Sequence, residues 1–296
     1  MRWVIAIVLV ACGSKHDEKA PPAPPVISID AAALPEDNHA LALSVCPSVK
    51  APYLFTVEKS GHRSFLLGTR HLGVGLDRMP SVVREALVHA KLAVFEIAPG
   101  DESDPDDKPG PSLADALGND RWGHYRALVG DDVAAAVEHE KPAIAIIMMM
   151  AAFEDPSASL DQDLEDLATR SKIETRGLET SSFQDGLIDQ LLDQRALAAA
   201  VTTTATRDEL RDDTVEDLGE YCRGAKLERT TKDEDDLEKA GYTDAEIARY
   251  DDLLLFGRNR AWIPKLEAIF GGGDAFVAVG LDHLLGDRGV IAALRA

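Results

Sequence analysis

Two stretches decide the fold: Phe65-Leu-Leu-Gly-Thr-Arg-His-Leu-Gly73 and Val277-Ala-Val-Gly-Leu-Asp-His-Leu-Leu-Gly286. Each is an apolar run ending in glycine, with a histidine three residues on, giving Gly68–His71 and Gly280–His283. A continuous apolar run of this length, closed by glycine, reads as a buried strand. Glycine at the strand's carboxyl end lets the backbone turn sharply, so the histidine is carried back over the sheet edge. Ligands of open α/β sheets gather at that edge. Two such loops on neighbouring strands would bring two imidazoles to one place. Taken singly, each histidine equally suits a structural role at a strand end.

The segments around these loops define the rest. Tyr53–Glu58 and Ser64–Gly68 flank Lys59-Ser-Gly-His-Arg63 and read as a hairpin. Pro80–Lys91 has helical spacing, and Leu92–Ile97 is an apolar strand that delivers Glu96. Strand, helix and strand in this order predict a βαβ unit with a parallel pair. Ile173–Glu179 is a short strand ending at Glu179. Ser112–Phe153 reads as several short helices, with the three methionines of Ile144–Met150 filling a core or pocket wall. Leu160–Ser171 is another helix. Ser181–Lys239 reads as an inserted helical layer with breaks near Arg211 and Gly224. Thr243–Phe270 reads as one long amphipathic helix or a pair broken near Pro264, and Arg288–Arg295 as a closing helix. The fold class is α/β: a central mixed sheet flanked by helices, with a large helical insertion.

The chain has 296 residues, 45% of them hydrophobic, and a net charge of −21. That length supports a sizeable core. The acidity excludes a nucleic-acid binder, which needs a basic surface to displace counterions. The acidic loop Asp101–Asp107 fits no calcium-loop spacing and reads as solvated.

Arg2 precedes an apolar run, Trp3–Ala11, too short to span a bilayer. Residues 1–11 read as a secretory signal, and Leu9-Val10-Ala11-Cys12 resembles the bacterial lipobox. Cys12 is then the lipidated residue and binds the chain to a membrane. Residues 12–39, with Pro21-Pro-Ala-Pro-Pro25, form a tether, and residues 40–296 the folded domain. By resemblance to enteric lipoproteins, Gly13 after the cysteine implies the outer membrane of the cell envelope; the periplasmic face of the inner membrane and secretion are the alternatives. In an oxidising compartment Cys46 and Cys222 would pair as a disulfide, or else remain two buried thiols.

Glu96 and Glu179, both at strand ends, would be poorly solvated without a cation. Two histidines and two glutamates suit a divalent metal such as Mn, Co, Zn or Fe. An open coordination position would then supply a hydroxide, or one glutamate would act as general base. Arg258 would orient substrate or stabilise developing negative charge; alternatively, it simply pairs with a buried glutamate. No His-Glu-x-x-His, Walker A or Gly-x-Ser-x-Gly motif is present.

Six ordered segments together resemble the TraB/GumN family, related to the TIKI metalloproteases and more distantly to erythromycin esterases. They are Phe65–Gly73, Ala93-Val-Phe-Glu-Ile97, Lys141-Pro142 with its apolar helix, Gly177-Leu-Glu-Thr180 with Gln184, Arg258-Asn-Arg-Ala-Trp262, and Phe276–Gly286. The resemblance implies an erythromycin-esterase/TIKI-like fold and a site of His71, Glu96, Glu179, Arg258, Asn259 and His283. Through the TIKI-like members it implies metal-dependent proteolysis outside the cell. Arg70 and Asp282 depart from the family pattern and are expected to pair across the site mouth. The leading expectation is an envelope-anchored, metal-dependent hydrolase, a peptidase acting on a peptide or small-molecule substrate, with His71, His283, Glu96 and Glu179 around the metal. The alternatives are a metal-free His/Glu hydrolase and a non-catalytic binding lipoprotein.

Overall fold

The computed structural model describes residues 37–101, 110–224 and 237–296, together with the backbone of residues 4–6. Cys12, most of the signal segment, the tether up to residue 36 and most of the acidic loop lie outside the described residues.

Six strands form one sheet: β1 (Val4–Ala6), β2 (Leu54–Lys59), β3 (His62–Thr69), β4 (Leu92–Ile97), β5 (Glu174–Glu179) and β6 (Ala275–Gly280), in the order β1-β2-β3-β6-β4-β5. Strands β3, β6, β4 and β5 run parallel, and β2 pairs antiparallel with its neighbours. The β2–β3 hairpin turns at Ser60 and Gly61, whose φ values of 56° and 82° match the twist of tight hairpins. A helix, Ser81–Val88, crosses from β3 to β4, yet these strands are not adjacent: β6 lies between them. The expected parallel neighbours are therefore separated by the last strand of the chain. Five consecutive residues of β6, Ala275–Val279, are buried, as a strand covered on both faces requires. Strand β5 alternates exposed and covered residues and takes the edge.

Among the described residues the helices pack into two large apolar clusters and a small third one of Leu41, Phe153 and Val215. The main core joins the sheet to Leu160, Leu164 and Ala168 of helix Leu160–Arg170 and to Trp262, Leu266 and Phe270 of helix Gly257–Gly272. A second cluster, including Leu113, Tyr125, Leu128, Ile146 and Leu197, belongs to helices between Leu113 and Thr203. The helical insertion thus begins well before Ser181. Arg211 lies inside the unbroken helix Arg207–Arg223, which ends at Gly224 as expected; the earlier breaks fall at Leu192-Asp193 and at Thr204–Thr206, where Asp193 and Thr206 cap the helices that follow. Of the three consecutive methionines only Met149 is buried, while Met150 is 64% exposed.

Of the two readings of Thr243–Phe270, the single long helix is the one that holds, since the helical path continues from Asp244 to Gly272 without a break at Pro264. Pro264 sits within helix Gly257–Gly272, and the path passes through a π-helical turn, Asp252–Phe256. The Gly257 N–H bonds back to Asp252 O, and a Cβ on Gly257 would lie 2.6 Å from that oxygen. Glycine is what permits the turn. Cys46 and Cys222 are joined as a disulfide, tying helix Asn38–Val45 to helix Arg207–Arg223. Among the described residues, no helix is long and apolar enough to cross a membrane.

Candidate active site

The parallel strands place their carboxyl ends side by side. In register, Thr69 of β3 faces Gly280 of β6, so both Gly-x-x-His loops leave the same edge of the sheet. His71 follows β3, and His283 sits in the short helix Leu281–Leu284 after β6. Glu96 comes from the end of β4 and Glu179 from the end of β5, in the adjacent position Ile97↔Glu179. Arg258 and Asn259 enter from above on the first turn of helix Gly257–Gly272. The π turn before them adds one residue to the helical path, which turns both inward; both are buried.

Arg258 is the hub. Its Nη2 donates to Glu96 Oε2 and, at 2.6 Å, to Glu179 Oε1; its Nε donates to the same Glu179 oxygen at 2.9 Å. Trp262 Nε1 donates to Glu179 Oε2 at 3.1 Å, so both oxygens of that carboxylate are engaged. Glu96 Oε1 accepts the Gly280 N–H at 2.7 Å. Gln184 Nε2 bridges the glutamates, 3.2 Å from Glu96 Oε2 and 3.4 Å from Glu179 Oε1. Two carboxylates this deep need such compensation, because removing one partner strands a buried charge.

The protonation of His283 follows from its neighbours. Asn259 Nδ2 donates to the carbonyls of His283 and Arg288, at 3.1 and 3.3 Å, which turns its Oδ1 toward His283 Nδ1 at 2.7 Å. Nδ1 therefore carries the proton. Nε2 presents a lone pair to Arg258 Nη1 at 3.0 Å. Burial pushes the His283 pKa down to about 3, in keeping with a neutral ring.

His71 is the opposite case. Its side chain is 72% exposed. Nδ1 lies 2.8 Å from Asp161 Oδ2, and Asp161 Oδ1 accepts from Thr69 Oγ1 at 2.6 Å. The hydrogen bond to Asp161, and then its charge, raise the His71 pKa to about 9. Burial alone would raise the Glu96 pKa; the positive charge around it and the Gly280 N–H hold it below the usual carboxylate range. Because His283 is neutral, Arg258, Gly280 and His71 carry that effect. The groups meet above Gly280: a Cβ there would lie 3.2 Å from Glu96 Oε1, 3.6 Å from His71 Nε2 and 3.7 Å from His283 Cδ2. An ionised carboxylate, a protonated imidazole and a neutral one thus converge on one point beside Gly280.

All six residues expected at the site are brought together. The expected Arg70–Asp282 pair is not formed: Arg70 pairs with Glu154, because its loop turns toward the segment after helix Pro142–Met150. Asp161 and Thr69 were not singled out by the sequence. Asp161 occupies the second position of helix Leu160–Arg170, where an acidic residue ordinarily serves the helix dipole. Tyr221, also missed, donates its hydroxyl to Gly68 O at 3.0 Å and so braces the first loop from the disulfide-bearing helix.

The residues can be tested against the metal their types suggested. A shared site needs free lone pairs on His71, His283, Glu96 and Glu179 directed at one point. Here the guanidinium of Arg258 bridges the two glutamates and engages His283 Nε2 directly, while Glu96 Oε1 stands 3.8 Å from that same nitrogen. Both Glu179 oxygens accept hydrogen bonds and Glu96 Oε2 is held by Arg258 and Gln184, whereas Glu96 Oε1 accepts the Gly280 N–H and keeps a second lone pair. Among the described residues, no group of three or more His, Cys, Asp or Glu side chains is arranged to hold a metal ion. In this arrangement the four side chains do not fit a four-ligand metal site.

The fold and site define an α/β protein with a His/Glu/Arg cluster built on strand ends. The chain belongs to the TraB/PrgY/gumN family, whose sequence model matches residues 53–296. No curated protein and no solved structure matches it.

Proposed function

We propose that this protein is a hydrolase of the cell envelope, acting on a peptide or ester carbonyl by acid–base catalysis centred on Glu96 and His71. The observation that carries the reading is the convergence of Glu96 Oε1 and His71 Nε2 over Gly280, with Arg258 locked behind them. Glu96 accepts a proton from the attacking water. His71 stabilises the developing oxyanion and returns a proton to the leaving group. Arg258 keeps Glu96 ionised, and Glu179 with Trp262 fixes the guanidinium. Gly280, lacking a side chain, leaves room for the reacting carbon.

The anchoring is part of the same proposal: Cys12 carries the lipid, and the tether holds the domain away from the membrane. Incorporation of labelled palmitate that survives a Cys12→Ala change would overturn it. For the chemistry, purified protein is assayed with p-nitrophenyl butyrate and with a fluorogenic casein substrate, before and after dialysis against EDTA. Turnover that persists after EDTA and is lost in Glu96→Gln and His71→Ala supports the reading. Turnover that disappears with EDTA and returns with added Mn, Co, Zn or Fe replaces it with a metal-dependent mechanism. No turnover of either substrate favours a binding lipoprotein.

A further inference from the structure

We propose that Asp161 is the positioning residue of His71, and that it gives the two Gly-x-x-His loops different work. The catalytic meaning of this inference rests on the hydrolytic reading; its structural content does not. The loops are alike in sequence and adjacent in the sheet, so nothing in the strands distinguishes their histidines. The distinction comes from what each Nδ1 meets. His71 meets a carboxylate and His283 meets a neutral amide.

Asp161 is held in place by several independent links. Helix Leu160–Arg170 is pinned to the core by Leu160, Leu164 and Ala168, each fully buried, and Ser159 caps its start. Ser159 also forms a backbone bridge with Val74, three residues after His71. Asp163 accepts the Leu76 N–H at 2.7 Å, and Asp161 accepts from Thr69 and His71. The first Gly-x-x-His loop is thus stitched to the start of this helix on both sides of its histidine. With Nδ1 turned to Asp161, the Nε2 of His71 is left on the side of Gly280 and Glu96 Oε1. A carboxylate behind an imidazole fixes the tautomer and steadies the charged ring.

His283 has no such freedom. Its Nε2 accepts from Arg258, and taking up a proton there would set two cations against each other. His71 is therefore the proton carrier, and His283 positions Arg258.

Histidine-selective 15N NMR on the full chain tests this without any substrate. In the wild type, His71 is expected to show a protonated, hydrogen-bonded Nδ1. In Asp161→Ala that signature should be lost, while the Nδ1–H signal of His283 stays in place and certifies the fold. Asp161→Glu should restore part of the His71 signature, and Thr69→Val should weaken it less than Asp161→Ala does. With p-nitrophenyl butyrate, kcat should fall on the order of 10²-fold or more in Asp161→Ala with little change in KM. Identical His71 signals in wild type and Asp161→Ala would overturn the inference, as would a kcat unchanged in that variant. If the wild type hydrolyses no probe, the hydrolytic reading fails and the NMR comparison still decides the positioning claim.

Discussion

Arg258 Nη1 lies 3.0 Å from His283 Nε2, donating to the lone pair that the Asn259 contact at Nδ1 leaves in place. One side chain therefore ties together three side chains at strand ends, since Arg258 also pairs with Glu96 and Glu179, besides donating to Leu254 O. Arg258→Leu would leave two buried carboxylates without their cation. A loss of about 3–5 kcal/mol is expected, read by urea unfolding at neutral pH. Arg258→Lys should recover only part of it, because an ammonium cannot match the fork that spans both glutamates and the imidazole. A Leu variant as stable as the wild type would show that the network contributes nothing net.

The two histidines predict opposite pH behaviour. The folded pKa of His71, about 9, lies above its ordinary 6.5. Its contribution is fully present below pH 6.5 and is lost as the pH rises through 9. The ring is largely exposed, so solvent screening keeps that contribution small. The folded pKa of His283, about 3, lies below 6.5. Between those values the unfolded chain takes up a proton that the native ring refuses, so stability falls as the pH drops from 6.5 toward 3. Unfolding free energies of wild type and His71→Ala, compared from pH 6 to 10, should converge as the pH rises. A constant gap would contradict the assignment.

The strand ends were legible because burial writes itself into composition: unbroken apolar runs such as those of β3, β4 and β6 are stable only inside a core, and glycine marks where the loops after β3 and β6 turn. The position of β6 between β3 and β4 was less legible, since sequence order predicts neighbours and only burial on both faces reveals the centre. The catalytic constellation was readable where a side chain sits on a strand end, as with Glu96 and Glu179. Asp161 was not readable. It comes from a helix 90 residues after His71, and an acid in a helix's first turn already suits the local dipole. The π turn was hidden in a similar way: Gly257 inside a helical pattern looks like a weak point, not a requirement.

The Cys46–Cys222 bond closes a sequence separation of 176 residues. Loop-closure entropy over that length gives an upper expectation of about 5 kcal/mol. Replacing both cysteines by serine should lower Tm substantially. It should also loosen the first loop, because Tyr221, next to Cys222, holds Gly68 O. Thermal unfolding with and without reductant measures the first effect, and hydrogen exchange at residues 68–71 the second. A Tm insensitive to reductant would count against the bond's role.

Gly257→Ala tests the π turn. The added methyl would meet Asp252 O at 2.6 Å, a contact that forces the backbone to move. Overpacking of this kind costs roughly 1–3 kcal/mol. The shift also carries Arg258 and Asn259 out of place, so the Nδ1–H signal of His283 should move in the NMR spectrum. An unchanged signal would mean that the turn does not set their position.

Gly280→Ala separates folding from function. The φ of Gly280 is −50°, so alanine is conformationally allowed, and a less flexible unfolded chain offsets part of any crowding by about 0.4–1 kcal/mol. The methyl would stand 3.2 Å from Glu96 Oε1 and 3.6 Å from His71 Nε2, in the space through which a reacting carbonyl must approach. Stability should stay within about 1 kcal/mol of wild type. Turnover of the ester probe should fall far more than that change in stability accounts for. Wild-type turnover in this variant would place the reaction somewhere other than beside Gly280, where the methyl would stand between Glu96 Oε1 and His71 Nε2.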